Sequence, residues 1–396
     1  MGAWNYLQDL CRLGPRGSAT EGERRAAQWI AAKLEELGFD VEIQRFRGQR
    51  HTLYLGPSAV IAGMLLARWL AAWRPLLGAA AMIALLVPLV GEMLGARLNF
   101  DLILPRSPSQ NVIGRLAQRA AGESAGDEAS AAGIPVVPVV VSAHYDTQRG
   151  TWLFAPWFRP ILRPFFVGTY VALALMPAGT VLKWAWPAAG WIGAVERGAA
   201  AWLGAALAFL VLSWASGKYV EGANDNGSGV AVALALARRW REEPIPGLAP
   251  IFVFTGCEES GLRGMSHFLS TAALPPGTAF VNLDNVGGGR LRYLTGEGML
   301  VYRPYDKDLV AAARQAAAEF AGRVQPLANL LLPTDALAAT LAGYPAVTLL
   351  AMGDDGGIPN YHWHTDVLAH ADRAVVDLTE EYAWRILQEW SRRARD

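Results

Sequence analysis

The chain has 396 residues, 35 basic and 35 acidic, so its formal net charge is zero. That length is ample for a buried core, and the 53% apolar share excludes disorder as the general state. Balanced charge leaves no basic footprint, which argues against a nucleic-acid partner.

Asp9, Arg12 and Arg16 precede any apolar run, so no secretory signal segment is expected at the start. Thr20 and Glu23 have capping-box spacing, Ala26, Ile30, Leu34 and Leu37 recur with helical period, and Gly38 stands where a C-cap glycine belongs. Val41, Ile43 and Phe46 then predict a short strand. Further on, residues 135–141, 251–254, 279–283 and 346–350 are nearly unbroken apolar runs, the pattern of strands buried on both faces. Helical periodicity alternates with them at 230–240, 309–320 and 375–390. The pattern predicts an α/β fold, a three-layer sandwich around a mixed, mostly parallel sheet. Cys11 and Cys257 suggest no disulfide framework.

Residues 52–104 and 150–218 differ from the rest. They make up 122 residues but hold only eleven of the 70 charges, with nine of the fifteen Trp. Charge-free runs at 52–67, 75–91, 164–182 and 198–217 predict four helices in two hairpins. A bilayer core needs about 20 residues, so the last two runs suffice and the first two fall at the margin. Trp69, Trp73, Trp152, Trp157, Trp184, Trp186, Trp191 and Trp214 lie near the run ends, as an aromatic belt would. The chain therefore divides into a catalytic domain (1–51, 105–149 and 219–396) and two apolar hairpin inserts (52–104 and 150–218), expected to span a membrane and contact its lipid. A water-facing apolar cap or dimer interface is the competing reading, kept open by Pro88, Pro177 and Arg68. Each hairpin returns the chain to one side, so the split domain can still assemble. Nine basic residues flank the catalytic side, Arg97 among them, against Arg68, Arg74, Lys183 and Arg197 at the tips, which places the catalytic domain on the cytoplasmic side.

Chemistry-bearing residues gather at strand ends, where sheets of this kind hold their ligands. His144 and Asp146 follow the run 137–141 and point to the same side of an extended chain. Gly222-Ala-Asn-Asp-Asn-Gly-Ser-Gly229 opens the helix at 230–240, and taken alone reads as an Asp225 or Asn226 cap. In Thr255-Gly-Cys-Glu-Glu-Ser-Gly-Leu-Arg-Gly264, Glu258 and Glu259 repel each other unless a cation or a proton intervenes. Asp284 ends the run 279–283, and Ile358-Pro-Asn-Tyr-His-Trp-His-Thr-Asp366 supplies further imidazoles. Carboxylates with two imidazoles suit Zn²⁺, with Mn²⁺ or Co²⁺ as alternatives. Nothing metal-like surrounds His51, His267 or His370.

In this order, from Leu13-Gly-Pro-Arg-Gly-Ser-Ala-Thr20 to the last helix and skipping both inserts, the motifs resemble the M28 family of dinuclear zinc peptidases. The resemblance implies one zinc on His144, Asp225 and Asp284, and another on Asp225, Glu259 and His362, with Asp225 bridging. It also implies that Asp146 orients His144, Glu258 is the general base, and Tyr361 is the oxyanion donor, with a cis peptide after Asp225. Asp225 follows His144 by 81 positions, further than the family pattern, and the second insert fills most of that gap. His362 is preferred over His364 because Asp366 and Asp372 then keep the family spacing, and Thr334-Asp335 reads as a helix cap near the site. The activity implied is that of an aminopeptidase acting on peptides. A carboxypeptidase, a one-zinc glutaminyl-cyclase-type enzyme and a non-catalytic receptor or scaffold are the alternatives.

Overall fold

The unbroken apolar runs form the centre of a nine-stranded sheet. In the computed structural model, residues 1–93, 103–116, 136–298, 301–329 and 333–394 are described. Pro135, Arg97 and Asp101 lie outside them. The chain divides into two compact units, one of Met1–Arg50, Ser107–Arg149 and Tyr219–Asp396, the other of His51–Arg106 and Gly150–Lys218.

The strands of the first unit are β1 (Phe39–Gly48), β2 (Ser107–Leu116), β3 (Val137–His144), β4 (Leu248–Thr255), β5 (Ala279–Leu283), β6 (Arg290–Glu297), β7 (Arg303–Pro304), β8 (Gln325–Asn329) and β9 (Ala346–Met352). Their order is β1-β2-β4-β3-β5-β9-β6-β8, with β7 on β6. The four central strands, β4, β3, β5 and β9, run parallel, while β1, β2 and β6 add antiparallel pairs. Every residue of β5 is buried, as are all but the first two of β3. Such strands must be covered on both faces, which their apolar runs foretold. β1 is exposed or half-buried at every position but its two end residues and stands at the sheet edge.

The helix Glu21–Glu36 starts where Thr20 accepts the Glu23 N–H and ends before Gly38, whose φ of +77° suits glycine. The Glu23 carboxylate departs from the capping-box expectation. It is buried and accepts instead from Ser109 Oγ at 2.9 Å and Cys257 N at 3.0 Å. Helices Gly229–Glu242 and Arg373–Arg393 meet through a T-shaped pair, Trp240 on Trp384, at 5.6 Å. Both cysteines are free and buried.

Among the described residues, the second unit holds four α-helices, Thr52–Ala71, Pro75–Met93, Arg159–Ala185 and Gly190–Ser216. Three are long and apolar enough to cross a membrane, and the apolar stretch Pro75–Gly91 is shorter. The first exceeds its charge-free run because Arg68 is absorbed into the helix. Its guanidinium pairs with the buried Glu196 carboxylate at 3.2 Å, and Lys183 lies 3.8 Å from the same group. A cation held this way need not break an apolar helix. Gly63 and Gly78 let the first two helices close up, since a Cβ there would come within 2.8 Å of Leu85 and 2.5 Å of Ala71. Many apolar side chains still face outward, among them Leu66, Ile83, Val171 and Leu212, with Trp69, Trp73, Trp184 and Trp191 also exposed.

Candidate active site

The parallel strands β3, β4 and β5 all end at one edge of the sheet, and His144, Glu258, Glu259 and Asp284 stand at or just past those ends. Asp225 and His362 arrive from loops. Ligand atoms of His144, Glu258 and Asp284 lie within 4.8 Å of one another, as do those of Asp225, Glu259 and His362. Asp225 joins the two groups, with Oδ1 3.3 Å from His144 Nε2 and Oδ2 2.9 Å from His362 Nε2. His144 Nε2 also lies 3.5 Å from Asp284 and 4.0 Å from Glu258, so Asp225 is nearer to it than Glu258 is. His362 Nε2 lies 3.1 Å from Glu259.

This set fits divalent cations. Asp225 Oδ2 and Glu259 Oε1 are buried with no hydrogen-bond geometry to any described residue, despite the imidazole close by. Buried carboxylates carry a large desolvation cost unless a positive charge meets them. Burial disfavours a charged imidazole at His362, but Glu259 and Asp225 outweigh it and lift the ring to about 10. His144 is raised in the same way, burial opposing and Glu258, Asp146, Asp225 and Asp284 prevailing. Burial also works against ionisation of Asp225, and the two imidazoles overcome it, holding its carboxyl below the usual range. Such a field attracts a cation as well as it attracts protons. Nitrogen and oxygen donors in these numbers suit zinc.

Burial raises both carboxyls of the Glu pair, Glu259 to about 7 against the pull of His362. It pushes the Glu258 carboxyl well up; His144 counters, while Glu259, Asp284 and Asp335 add to the rise. Burial likewise keeps the Tyr361 phenol neutral and able to donate, and its ring stacks on His362 at 3.8 Å.

A set of buried side chains holds these groups in place. Nδ1 of His144 faces the Asp146 carbonyl at 3.2 Å and its carboxylate at 3.6 Å, which leaves Nε2 directed into the site. The Asp146 carboxylate accepts from Ser18 Oγ at 2.6 Å, Glu258 N at 3.1 Å and Glu259 N at 3.3 Å. Asp366 accepts the Asn224 and Asp225 N–H groups at 2.6 and 3.1 Å, tying the Asp225 loop to the His362 segment. Asn226 is indeed a cap, its Oδ1 accepting Gly229 N at 3.0 Å, and its Nδ2 also donates to Leu283 O. The Asp225–Asn226 peptide is cis.

Sequence reasoning missed Gln148, a buried residue whose Nε2 donates to the Glu259 carboxylate at 3.2 Å. No motif marks it. His364 is exposed and leans on Trp363, outside either ligand group. His267 stacks on Phe46, His370 bonds the Thr365 carbonyl, and His51 meets Trp214 edge-on. Thr334 takes the N-cap position of Asp335–Leu341, but its hydroxyl donates to Glu297 rather than capping. Asp335 is buried and accepts from Thr255.

Residues 210–387 match the model of Peptidase family M28, a span that includes Asp225, Glu258, Glu259, Asp284, Tyr361 and His362. The match makes the chain similar to peptidase family M28 over that span. This is a family of zinc-dependent hydrolases. The probable lipoprotein aminopeptidase LpqL of Mycobacterium tuberculosis is 28% identical over 192 residues, 40% of this chain and 37% of that protein. The chain thus spans little more than a third of that relative's length. The fold is also that of a glutaminyl cyclase from Porphyromonas gingivalis, with a TM-score of 0.56 at 17% identity, covering 98% of this chain and 97% of that one. It is equally like BSAP, a zinc aminopeptidase from Bacillus subtilis, with a TM-score of 0.57 at 17% identity, covering 98% and 94%.

Proposed function

We propose that this chain is a two-zinc aminopeptidase, removing N-terminal residues from peptides while its apolar unit holds it in a membrane. The observation that carries the reading is Asp225, whose two oxygens face two different imidazoles at 3.3 and 2.9 Å. Two ligand triads sharing one carboxylate suit a pair of ions better than one. His144, Asp225 and Asp284 would hold one zinc, and Asp225, Glu259 and His362 the other, both within residues 1–51, 105–149 and 219–396. Bound zinc polarises the scissile carbonyl and makes water acidic enough to attack near neutral pH.

The remaining chemistry falls to side chains. Glu258 takes a proton from the attacking water as oxygen bonds to the carbonyl carbon, and gives it to the amine nitrogen as the C–N bond breaks. Its raised proton affinity suits a group that must hold that proton between the two events. Tyr361 donates its hydroxyl hydrogen to the carbonyl oxygen as negative charge grows there. Asp146 fixes the His144 ring and, through two backbone N–H groups, the positions of Glu258 and Glu259.

The membrane reading rests on three long apolar helices and on outward-facing apolar and Trp side chains. The basic-residue asymmetry supports a cytoplasmic catalytic unit, which protease protection in sealed vesicles tests.

Turnover of peptides with free N-termini, set beside the same peptides acetylated, tests the activity. Cleavage of the free set alone is expected. Cleavage of the blocked set rules out an aminopeptidase. One metal per chain with cyclisation of N-terminal Gln indicates a glutaminyl-cyclase reaction.

A further inference from the structure

Arg16 is the largest charged side chain fully enclosed in the first unit, at 0% exposure. Enclosing a guanidinium is costly unless its donors are used. Here Nε donates to Tyr145 O at 2.7 Å, Nη1 to Glu221 O at 2.7 Å and Nη2 to Gly222 O at 2.8 Å. Among the described residues it forms no ion pair with a carboxylate. The backbone adds two more ties, Arg16 N to Thr147 Oγ1 at 3.1 Å and Thr147 N to Arg16 O at 3.2 Å.

The carbonyls it grips belong to two different parts of the metal centre. Tyr145 lies between His144 and Asp146, and Asp146 in turn holds Glu258 and Glu259. Gly222 precedes Asp225 by three positions, and its N–H donates to the Asp366 carbonyl at 3.1 Å, in the segment that carries His362. One part therefore carries His144 and the Glu pair, the other Asp225 and His362. Residues 150–218 are inserted in sequence between them, so the chain itself does not keep the two parts in register.

We propose that Arg16 is a positioning residue for the metal centre. Its planar fork clamps the carbonyls on either side of the second insertion and so sets the placement of Asp225 against His144. The inference rests on the two-ion reading of the site. The fork geometry matters as well as the charge. One guanidinium reaches three carbonyls with its rigid fork, whereas a lysine ammonium is a point donor.

The test uses the full-length protein in detergent, stripped with a chelator and titrated with Co²⁺ against a chromophoric competitor. Affinity and the visible spectrum at saturation are read together. Arg16→Gln and Arg16→Lys are both expected to bind Co²⁺ about 10–100-fold more weakly, the usual range for loss of an outer-shell partner. Their saturated spectra are expected to differ from wild type, because the ligand geometry has changed. Wild-type affinity and spectrum in either folded variant overturns the clamp. So does full rescue by lysine, which reduces the role of Arg16 to its charge. Should both variants fail to fold by circular dichroism, Thr147→Val decides, since it keeps the guanidinium and removes one tie. Weaker Co²⁺ binding supports the clamp, and unchanged binding overturns it. A wild-type protein that binds no Co²⁺ overturns the two-ion reading itself, and the clamp with it.

Discussion

Oδ1 of Asp146 accepts the backbone N–H of Glu258 at 3.1 Å, across 112 positions of sequence. Its Oδ2 accepts from Ser18 Oγ at 2.6 Å and Glu259 N at 3.3 Å. Three donors converge on one carboxylate, and an amide has only one oxygen to offer them. Asp146→Asn is therefore expected to weaken zinc binding about 10–100-fold without unfolding the protein. Competition titration with a chelator measures it, and an unchanged affinity refutes it.

Glu258→Ala is expected to keep its metal and lose its activity. General acid–base catalysis contributes about 10²–10⁴-fold, and loss of kcat in that range is anticipated. Elemental analysis of the purified variant supplies the control. A variant that keeps its rate removes Glu258 from the role of base.

Glu297 offers a titration outside the candidate ligand set, although Asp284 adds to its rise. Burial lifts its carboxyl from 4.5 to about 7, opposed by hydrogen bonds from Tyr305 and Thr334. A folded-state value above the unfolded one means that the folded chain holds the extra proton. This contribution to stability is complete below about 4.5 and is lost as pH rises to about 7. Glu297→Gln removes the titration. Between pH 5 and 8 the fall in Tm of wild type is expected to exceed that of the variant. Equal slopes refute the assignment.

The apolar unit predicts its own test. Val171 is exposed near the middle of the helix Arg159–Ala185. An arginine at the centre of a membrane span costs about 2.5–3.5 kcal/mol on insertion scales. Wild type is expected to stay with membranes through carbonate and high salt, and Val171→Arg to lose part of that fraction. Release of the wild type by carbonate rules out integral embedding.

The candidate site residues could be read from the sequence because each sits in a short motif, with His144, Glu258, Glu259 and Asp284 at or just past apolar strands and Asp225 and His362 in loops. The central strands were equally visible, being buried on both faces. β2 and β6 escaped because strands paired antiparallel towards the flanks of the sheet mix polar and apolar residues without a clear run. Glu23 misled, since helical spacing alone does not separate a capping carboxylate from one turned inward to Cys257. The clamp made by Arg16 left no trace for a different reason. Its partners are backbone carbonyls, which every residue possesses, so no residue type at 145, 221 or 222 announces it.

Strand β9, the latest in sequence among the described residues, is not at the sheet's edge. It lies between β5 and β6, parallel to one and antiparallel to the other. A nascent chain that stops before residue 346 therefore has a sheet with a gap at its middle, and His362 has not yet been made. Closing that gap requires pairings between residues far apart in sequence, a slow step in folding. Translation and assembly are thus coupled: neither the sheet nor the candidate ligand set is complete until residue 362 has been made.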